Sequence, residues 1–250
     1  MKPLRIPYTL LALDCSAGPA SCAVLRVEEQ TQHVLCSAVT NTKLTHSQTL
    51  LPMITDMLKN AGMSFSQIDA IAVSVGPGSF TGVRIGVAAV KGLAFANDLP
   101  CVAVSTLEGM AARLEGMPYT GKLLTAMDAR CQQLYTALFS CANGIVTRVT
   151  PDEALPLDIV GERLCAETEP ILVIGDGAAL CYNALHERVP LLRLAPVGLC
   201  LQHAVGVARA AVKHIADGNV LSGEALLPDY LRLPQAQREL ILRQKQEKGQ

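Results

Sequence analysis

The sequence predicts an α/β protein of two lobes, each built from a β-β-β-α-β-α unit. Three observations predict it. Apolar runs of strand length alternate with runs of helical period along the whole chain. A first strand ending in aspartate occurs twice, at Leu10 to Asp14 and at Lys122 to Asp128, each followed by a turn and a returning strand. A strand entering a glycine-bracketed turn and then a helix also occurs twice, at Val75-Gly76-Pro77-Gly78 and at Ile174-Gly175-Asp176-Gly177.

Tyr8 to Leu13 is an apolar strand ending at Asp14, Cys22 to Val27 returns, and His33 to Val39 follows the polar turn Glu28 to Gln32. The polar segment Thr40 to Gln48 leads into a helix ending near Gly62. Its core face is Leu50, Ile54, Met57, Leu58 and Ala61, and Pro52 is expected in its first turn. The strand Ala70 to Val75 then meets Gly76-Pro77-Gly78, and Ser79 or Thr81 can cap a helix running to about Ala96. A strand at Cys101 to Val104 and a helix capped by Ser105-Thr106 close the first unit. The second repeats the order: Lys122 to Asp128, Gln133 to Phe139, the turn Ala142-Asn143-Gly144, Ile145 to Val149, Ile171 to Ile174, and a helix from Ala178. A last helix spans roughly His203 to Ala216, stopped by Gly218. The lobes are expected at 1–116 and 117–232, with a polar, flexible tail at 233–250.

The helix after Gly-Pro-Gly carries three internal glycines, each costing up to ~1 kcal/mol of helix propensity. Gly82, Gly86, Ala89, Leu93 and Ala96 line one face, Ile85, Ala88, Gly92 and Phe95 the next, and Arg84 and Lys91 the polar edge. The small face either packs on the chain's own sheet or receives a partner's helix. A phosphate cradle is a weaker reading, because neither a Walker lysine nor G-x-G-x-x-G is present.

Composition excludes several classes. The 250 residues are 50% hydrophobic and 17% charged, which suits a buried α/β core. Aromatics are 4% with no tryptophan and the net charge is −1, a poor basis for stacking or steering nucleic acid. No apolar run is long enough to span a bilayer, and Met1 to Pro7 is followed by too short an apolar run for a signal peptide. The nine cysteines are scattered without C-x-x-C, so they read as small buried hydrophobes in a reducing cytosol. The five histidines form no H-x-x-x-H or H-E-x-x-H pair, so no intrinsic metal site is expected.

Paired repeats that each open on an aspartate-ended hairpin are the plan of the actin-like ATPase and sugar-kinase fold. There such hairpins clasp phosphate and metal. The fold by itself fixes no function.

Six blocks then occur in order: "LALDCS", "HSQTLLPMI", "SVGPGSFTGVRIGVAAVKGLA", "AVSTLEGMA", "AMDARCQQLYTALF" and "LPDYLR". Together they resemble the TsaB (YeaZ-like) family of bacterial tRNA threonylcarbamoyladenosine (t6A) biosynthesis subunits, over most of Leu10 to Arg232. Glu153 to Pro170 and the tail lie outside the resemblance. It implies a two-lobed actin-like fold and a non-catalytic, cytoplasmic scaffold or activator. Its implied partners are a related catalytic subunit, TsaD, and an ATPase, TsaE, with tRNA reached only through the complex. It implies no intrinsic cofactor, although ATP or ADP could sit at the subunit junction.

The family's subunits associate through first-lobe helices. Leu50, Ile54, Met57, Gly82, Arg84, Gly86 and Ala89 are therefore the candidate partner contacts, and the same surface could form a homodimer. The catalytic relative holds metal through an H-x-x-x-H pair. Here His46 is followed four residues later by Leu50, which leaves His46 as a capping or interface hydrogen-bonder. Asp14, Ser16 and Asp128 are the weak candidates for nucleotide or a cation, against turn-capping carboxylates, and Asp128-Ala129-Arg130 could be an ion pair. The rivals are a stand-alone actin-fold ATPase or kinase and, more remotely, a glycoprotease-like metallopeptidase.

Overall fold

The computed structural model describes residues 4–232. The expected tail at 233–250 lies outside the described residues.

The first sheet has the order β3-β2-β1-β4-β5, from β1 (Tyr8–Asp14), β2 (Ala20–Val27), β3 (Gln32–Thr40), β4 (Ala70–Gly76) and β5 (Cys101–Ser105). β1, β2 and β3 pair antiparallel, while β4 and β5 run parallel beside β1. Both faces of β1 and β4 are covered, which explains why these strands read as unbroken apolar runs. Leu11, Leu13, Ile71 and Val73 face helices α1 (His46–Asn60) and α2 (Phe80–Asn97). Tyr8, Leu10, Ala12, Ala70 and Ala72 face the opposite way.

The second sheet repeats the plan. Its order is β11-β10-β6-β7-β8, from β6 (Gly121–Asp128), β7 (Gln133–Ala142), β8 (Ile145–Arg148), β10 (Ile171–Ile174) and β11 (Leu192–Leu194). β9 (Glu153–Pro156) also pairs with β7 and leads into α4 (Leu157–Cys165). This stretch, unassigned in the sequence reading, supplies the second unit's counterpart of α1. Leu157, Val160 and Leu164 of α4 join α5 (Ala178–Leu185) on the outer face of the second sheet.

The helices between the sheets are exchanged. α3 (Thr106–Ala112), which ends the first unit, packs Leu107, Met110 and Ala111 against Leu123, Met127 and Phe139 of the second sheet. α6 (Ala204–Ala216) returns to the first sheet, where Ala204, Val207, Ala208 and Ala211 cover Leu10, Ala12 and Leu25. The backbones meet closely, since a Cβ on Gly206 would overlap the Gly109 carbonyl. The segment after α6 stays with the first lobe too: Leu221 exchanges backbone hydrogen bonds with Cys101, each 2.8 Å, and Leu226 is buried in the α1–α2 core. A division at 116/117 therefore separates the repeats in sequence but not in packing.

The caps follow the sequence. Ser79 accepts from Gly82 N–H at 3.3 Å, and Ser105 from Glu108 N–H at 3.2 Å. α1 departs from expectation at both ends. It begins at His46 behind Thr45, whose N–H donates to the Gln48 side chain at 3.1 Å, so Pro52 lies in the second turn. Ala61, expected on the core face, is the exposed C-cap residue.

Candidate functional site

Four turns meet between the lobes. The β1–β2 turn begins with Asp14, whose carboxylate is 2% exposed. Oδ1 accepts the Ser16 N–H at 2.9 Å, the Ser16 hydroxyl at 2.6 Å and the Ser74 hydroxyl at 2.9 Å. Burial pushes the Asp14 carboxyl above its ordinary value, and these hydrogen bonds oppose that shift. Asp14 thus fixes the turn from beneath, as a turn-capping carboxylate does, and Ser16, itself buried, lies in the floor of the cleft.

Asp128, at the matching place in the second unit, is partly open. It accepts Arg130 N–H at 2.7 Å and pairs with the Arg130 guanidinium at 3.3 Å. The Arg130 side chain is 82% exposed, so this pair adds little to stability. The β10–α5 turn contributes Asp176, which takes a 2.7 Å hydrogen bond from the Gln202 amide. The surrounding protein raises the Asp176 carboxyl even though the residue still meets solvent, and the Asp128 charge adds to the shift.

The β4–α2 turn needs its glycines. Gly76 and Gly78 have φ of +128° and +157°. A Cβ on Gly76 would overlap the Asp229 carbonyl, and one on Gly78 the Ser16 carbonyl. Ser79 N–H donates to that same Ser16 oxygen at 2.7 Å, locking the two turns together.

The segment through Asp229-Tyr230-Leu231-Arg232 forms the cleft's strap. Asp229 N–H donates to Val75 O at 2.7 Å, and Arg232 donates to the Ala129 carbonyl at 2.9 Å in the opposite lobe. Tyr230 lies 4.9 Å from the Phe80 ring. Arg84 sits 3.8 Å over Phe80 and donates to the Tyr230 hydroxyl at 2.7 Å. The resulting cleft, about 440 Å³, is lined by the four turns and the strap.

The partner contacts read from the sequence divide on α1 and α2. Leu50, Ile54 and Met57 are buried in the chain's own core, because α1 turns that stripe toward β2 and β3. Gly82 and Gly86 are buried as well: a Cβ on Gly82 would overlap the Cys15 carbonyl, and one on Gly86 would meet Cys15 and Val73 at 3.4 Å. These five positions are core, not contact surface. Ala89 is half-buried and Arg84 is at the surface, engaged with Phe80 and Tyr230.

The outward face of α2 is the neighbouring one, Ile85, Ala88, Gly92 and Phe95. Phe95 is 92% exposed, and a Cβ on Gly92 would meet nothing within 4 Å. Leu51 on α1 is 49% exposed. His46 joins α1 to the β1–β2 turn, with Nε2 3.1 Å from the Gly18 carbonyl. Four residues on, Leu50 is 1% exposed in the core. Among the described residues no three His, Cys, Asp or Glu side chains are grouped to hold a metal ion, and no helix is long and apolar enough to cross a membrane.

Phe80, Asp176, Tyr230 and Arg232 line the cleft but are not among the site residues expected from the sequence. The signals were present in the Gly-Asp-Gly turn and in the "LPDYLR" block, whose tyrosine and arginine close the strap.

The repeated sheets, exchanged helices and four-turn cleft define a two-lobed protein of the actin-like ATPase fold. The family model described as TsaD: tRNA N6-adenosine threonylcarbamoyltransferase matches residues 33–158. Among curated relatives, the tRNA threonylcarbamoyladenosine biosynthesis protein TsaB of Bacillus subtilis is 34% identical, over 95% of this chain and 100% of its own length. That of Haemophilus influenzae is 42% identical, over 90% of this chain and 93% of its own. The solved structure of YeaZ from Pseudomonas aeruginosa superposes with a TM-score of 0.73 at 33% identity, covering 90% of this chain and 100% of that one. The chain belongs to the TsaB family of tRNA threonylcarbamoyladenosine biosynthesis proteins.

Proposed function

We propose that this chain is a non-catalytic scaffold or activator subunit in t6A synthesis, and that it pairs through the outward face of α1 and α2 with a TsaD-type catalytic subunit. The observation that carries the reading is the seam Ile85-Ala88-Gly92-Phe95. A wholly exposed phenylalanine and an exposed glycine in mid-helix both cost the isolated chain, through solvated apolar surface and lost helix propensity. Both become favourable when another helix approaches closely. The TsaD family model spans 33–158, which includes α1 and α2, so the catalytic relative offers a comparable pair of helices. Two such faces can meet about an approximate two-fold axis, and two copies of this chain can meet in the same way.

In this reading Asp14 supports the β1–β2 turn rather than a phosphate. The chain acts in the cytoplasm, a TsaE-like ATPase joins the pair, and ATP or ADP sits at the subunit junction. The tRNA is reached only through the complex.

Co-purification with the TsaD relative of the same host, followed by tRNA modification with and without this chain, tests the proposal. Gly92→Leu should leave a monomer at least as stable as the parent and Phe95→Asp a folded monomer, and each should reduce pairing and modification at least tenfold, a loss of about 1.4 kcal/mol or more. Pairing unchanged in both variants would place the junction elsewhere. ATP turnover by the purified chain alone would favour the rival, a stand-alone ATPase using the cleft.

A further inference from the structure

The edges of the two sheets are not alike. At one side of the second sheet β11 is three residues long and carries Arg193. At the other side β8 and β9 have four residues each and bring Arg148, Glu153 and Pro156. In the first sheet β5 is bridged at Cys101 by Leu221. Shortness, charge, proline and a covering segment all keep a sheet edge from pairing with another chain. β3 has none of these. It is nine residues long and contains no lysine, arginine, aspartate, glutamate or proline. Among the described residues no strand pairs with its outer side, and Val34, Leu35 and Val39 are 42%, 47% and 46% exposed.

One irregularity interrupts β3. Val24 pairs with Cys36 and Leu25 with Val34, so Leu35 is the extra residue of a bulge. Past the bulge, residues 36–40 pair regularly with β2, which leaves a regular edge centred on Ala38. Its two faces alternate. Cys36 and Ala38 pack on the core beneath α1, while Ser37 and Val39 are exposed on the other face.

This stretch is its own complement. A two-fold axis at Ala38 would set Ser37 of each copy beside Val39 of the other, and Cys36 beside Thr40. Ala38 would meet Ala38 at the axis. No like charges are brought together, and the side chains at the axis are small. An isologous contact requires self-complementarity of this kind, whereas a charged partner segment would find no counter-charge on the strand.

We propose that β3 is a self-association edge, through which two copies of this chain pair antiparallel over residues 36–40. Their two five-stranded sheets then become one continuous sheet. α2 packs over β4 and β1, so the Ile85-Ala88-Gly92-Phe95 seam of each copy stays open, and the edge is independent of the pairing proposed above. A single strand-to-strand contact is smaller than a standard interface of about 1,600 Å², so the dimer is weak and driven by concentration.

The test uses the full-length chain carrying Phe95→Asp, which silences self-association through α2. Sedimentation equilibrium up to about 1 mM should still show a monomer–dimer equilibrium. Adding Val39→Lys, at an exposed position, should weaken the dimer about tenfold or more and leave the melting temperature of the dilute monomer unchanged. Ser37→Lys should do the same and decides the matter if Val39→Lys fails to fold. Ala38→Cys should form a disulfide dimer with diamide faster than its parent does. Directly opposite residues of an antiparallel pair have Cα atoms about 4.5–5.5 Å apart, within disulfide range. Outward-facing amides among residues 36–40 should exchange hydrogen more slowly as concentration rises. A Phe95→Asp chain that stays monomeric, lysine variants that dimerise like their parent, or no faster cross-linking of Ala38→Cys would each overturn the proposal. So would amides already protected in the dilute monomer, which would mean that the edge is covered within the chain. Lysine variants that lose only a TsaD-type partner would overturn it too, by assigning the edge to that subunit.

Discussion

The two faces of α2 carry glycine for opposite reasons. On the inward face Gly82 and Gly86 let the helix lie against the β1–β2 turn, so closely that the Cys15 carbonyl occupies the space of a Gly82 side chain. On the outward face Gly92 has nothing near it. The first pair is explained within the chain and the last is not. Small-residue spacing along a helix therefore shows that close approach occurs on some side, and only the neighbouring strands show on which.

The largest effects should come from the inward face. Gly82→Val forces a side chain into a backbone carbonyl and should cost the isolated chain about 3 kcal/mol or more in urea unfolding. Gly86→Leu, whose first added atom meets Cys15 and Val73 side chains, should cost about 1–3 kcal/mol. If either variant unfolded like the parent yet failed to pair, the assignment of the two faces would be reversed.

The outward face should behave oppositely. Gly92→Ala should raise the stability of the monomer by up to about 1 kcal/mol, because it restores helix propensity without a clash. A destabilised Gly92→Ala monomer would mean that the face is covered within the chain. Arg84 stands between the two cases, on the polar edge but engaged with Phe80 and Tyr230. Arg84→Ala should cost the monomer about 0.5–1 kcal/mol and loosen the strap, seen as faster protease cleavage near Tyr230.

The smallest effect is a control that lies away from α2. His214 of α6 hydrogen-bonds Glu108 of α3 at 3.0 Å, and that bond raises the imidazole above its ordinary value of 6.5. Burial alone would raise Glu108, but His214, Arg148 and Lys213 bring its carboxyl below 4.5. The histidine contribution is full below its unfolded value and is lost as pH rises through the raised folded one. The glutamate contribution is present above its unfolded value and is lost as pH falls through the lowered folded one. Thermal unfolding should therefore show a shallow loss on the alkaline side of pH 6.5 that His214→Gln flattens and that every α2 variant retains.

Much of the fold was legible because its signals are local. The strands β1 and β4 are apolar runs bounded by Asp14 and Gly76, and Ser79 and Ser105 cap the helices expected of them. What was not legible depended on distant contacts. The period of α1 set Leu50, Ile54 and Met57 on one stripe and correctly marked them as core, whereas the further reading of them as partner contacts placed one stripe on two surfaces. α4 has a short apolar face of Leu157, Val160 and Leu164 in a charged stretch, too few turns to stand out. The cleft draws residues from five places in the chain, and no single window contains that information. Asp14 and Asp128 looked equivalent in sequence, but the hydroxyls of Ser16 and Ser74 surround one and solvent reaches the other.

The exchange of α3 and α6 has a consequence for how the protein is made. Tyr8, Leu10, Ala12 and Leu25 emerge from the ribosome early, but the helix that covers them is among the last described elements to be synthesised. At translation rates of about 5–20 residues per second, the stretch from Ser105 to Ala216 leaves the first sheet with one apolar face uncovered for about 5–20 seconds. Nascent chains halted before Ala204 should accordingly bind hydrophobic-surface chaperones, and chains extended past Ala216 should release them.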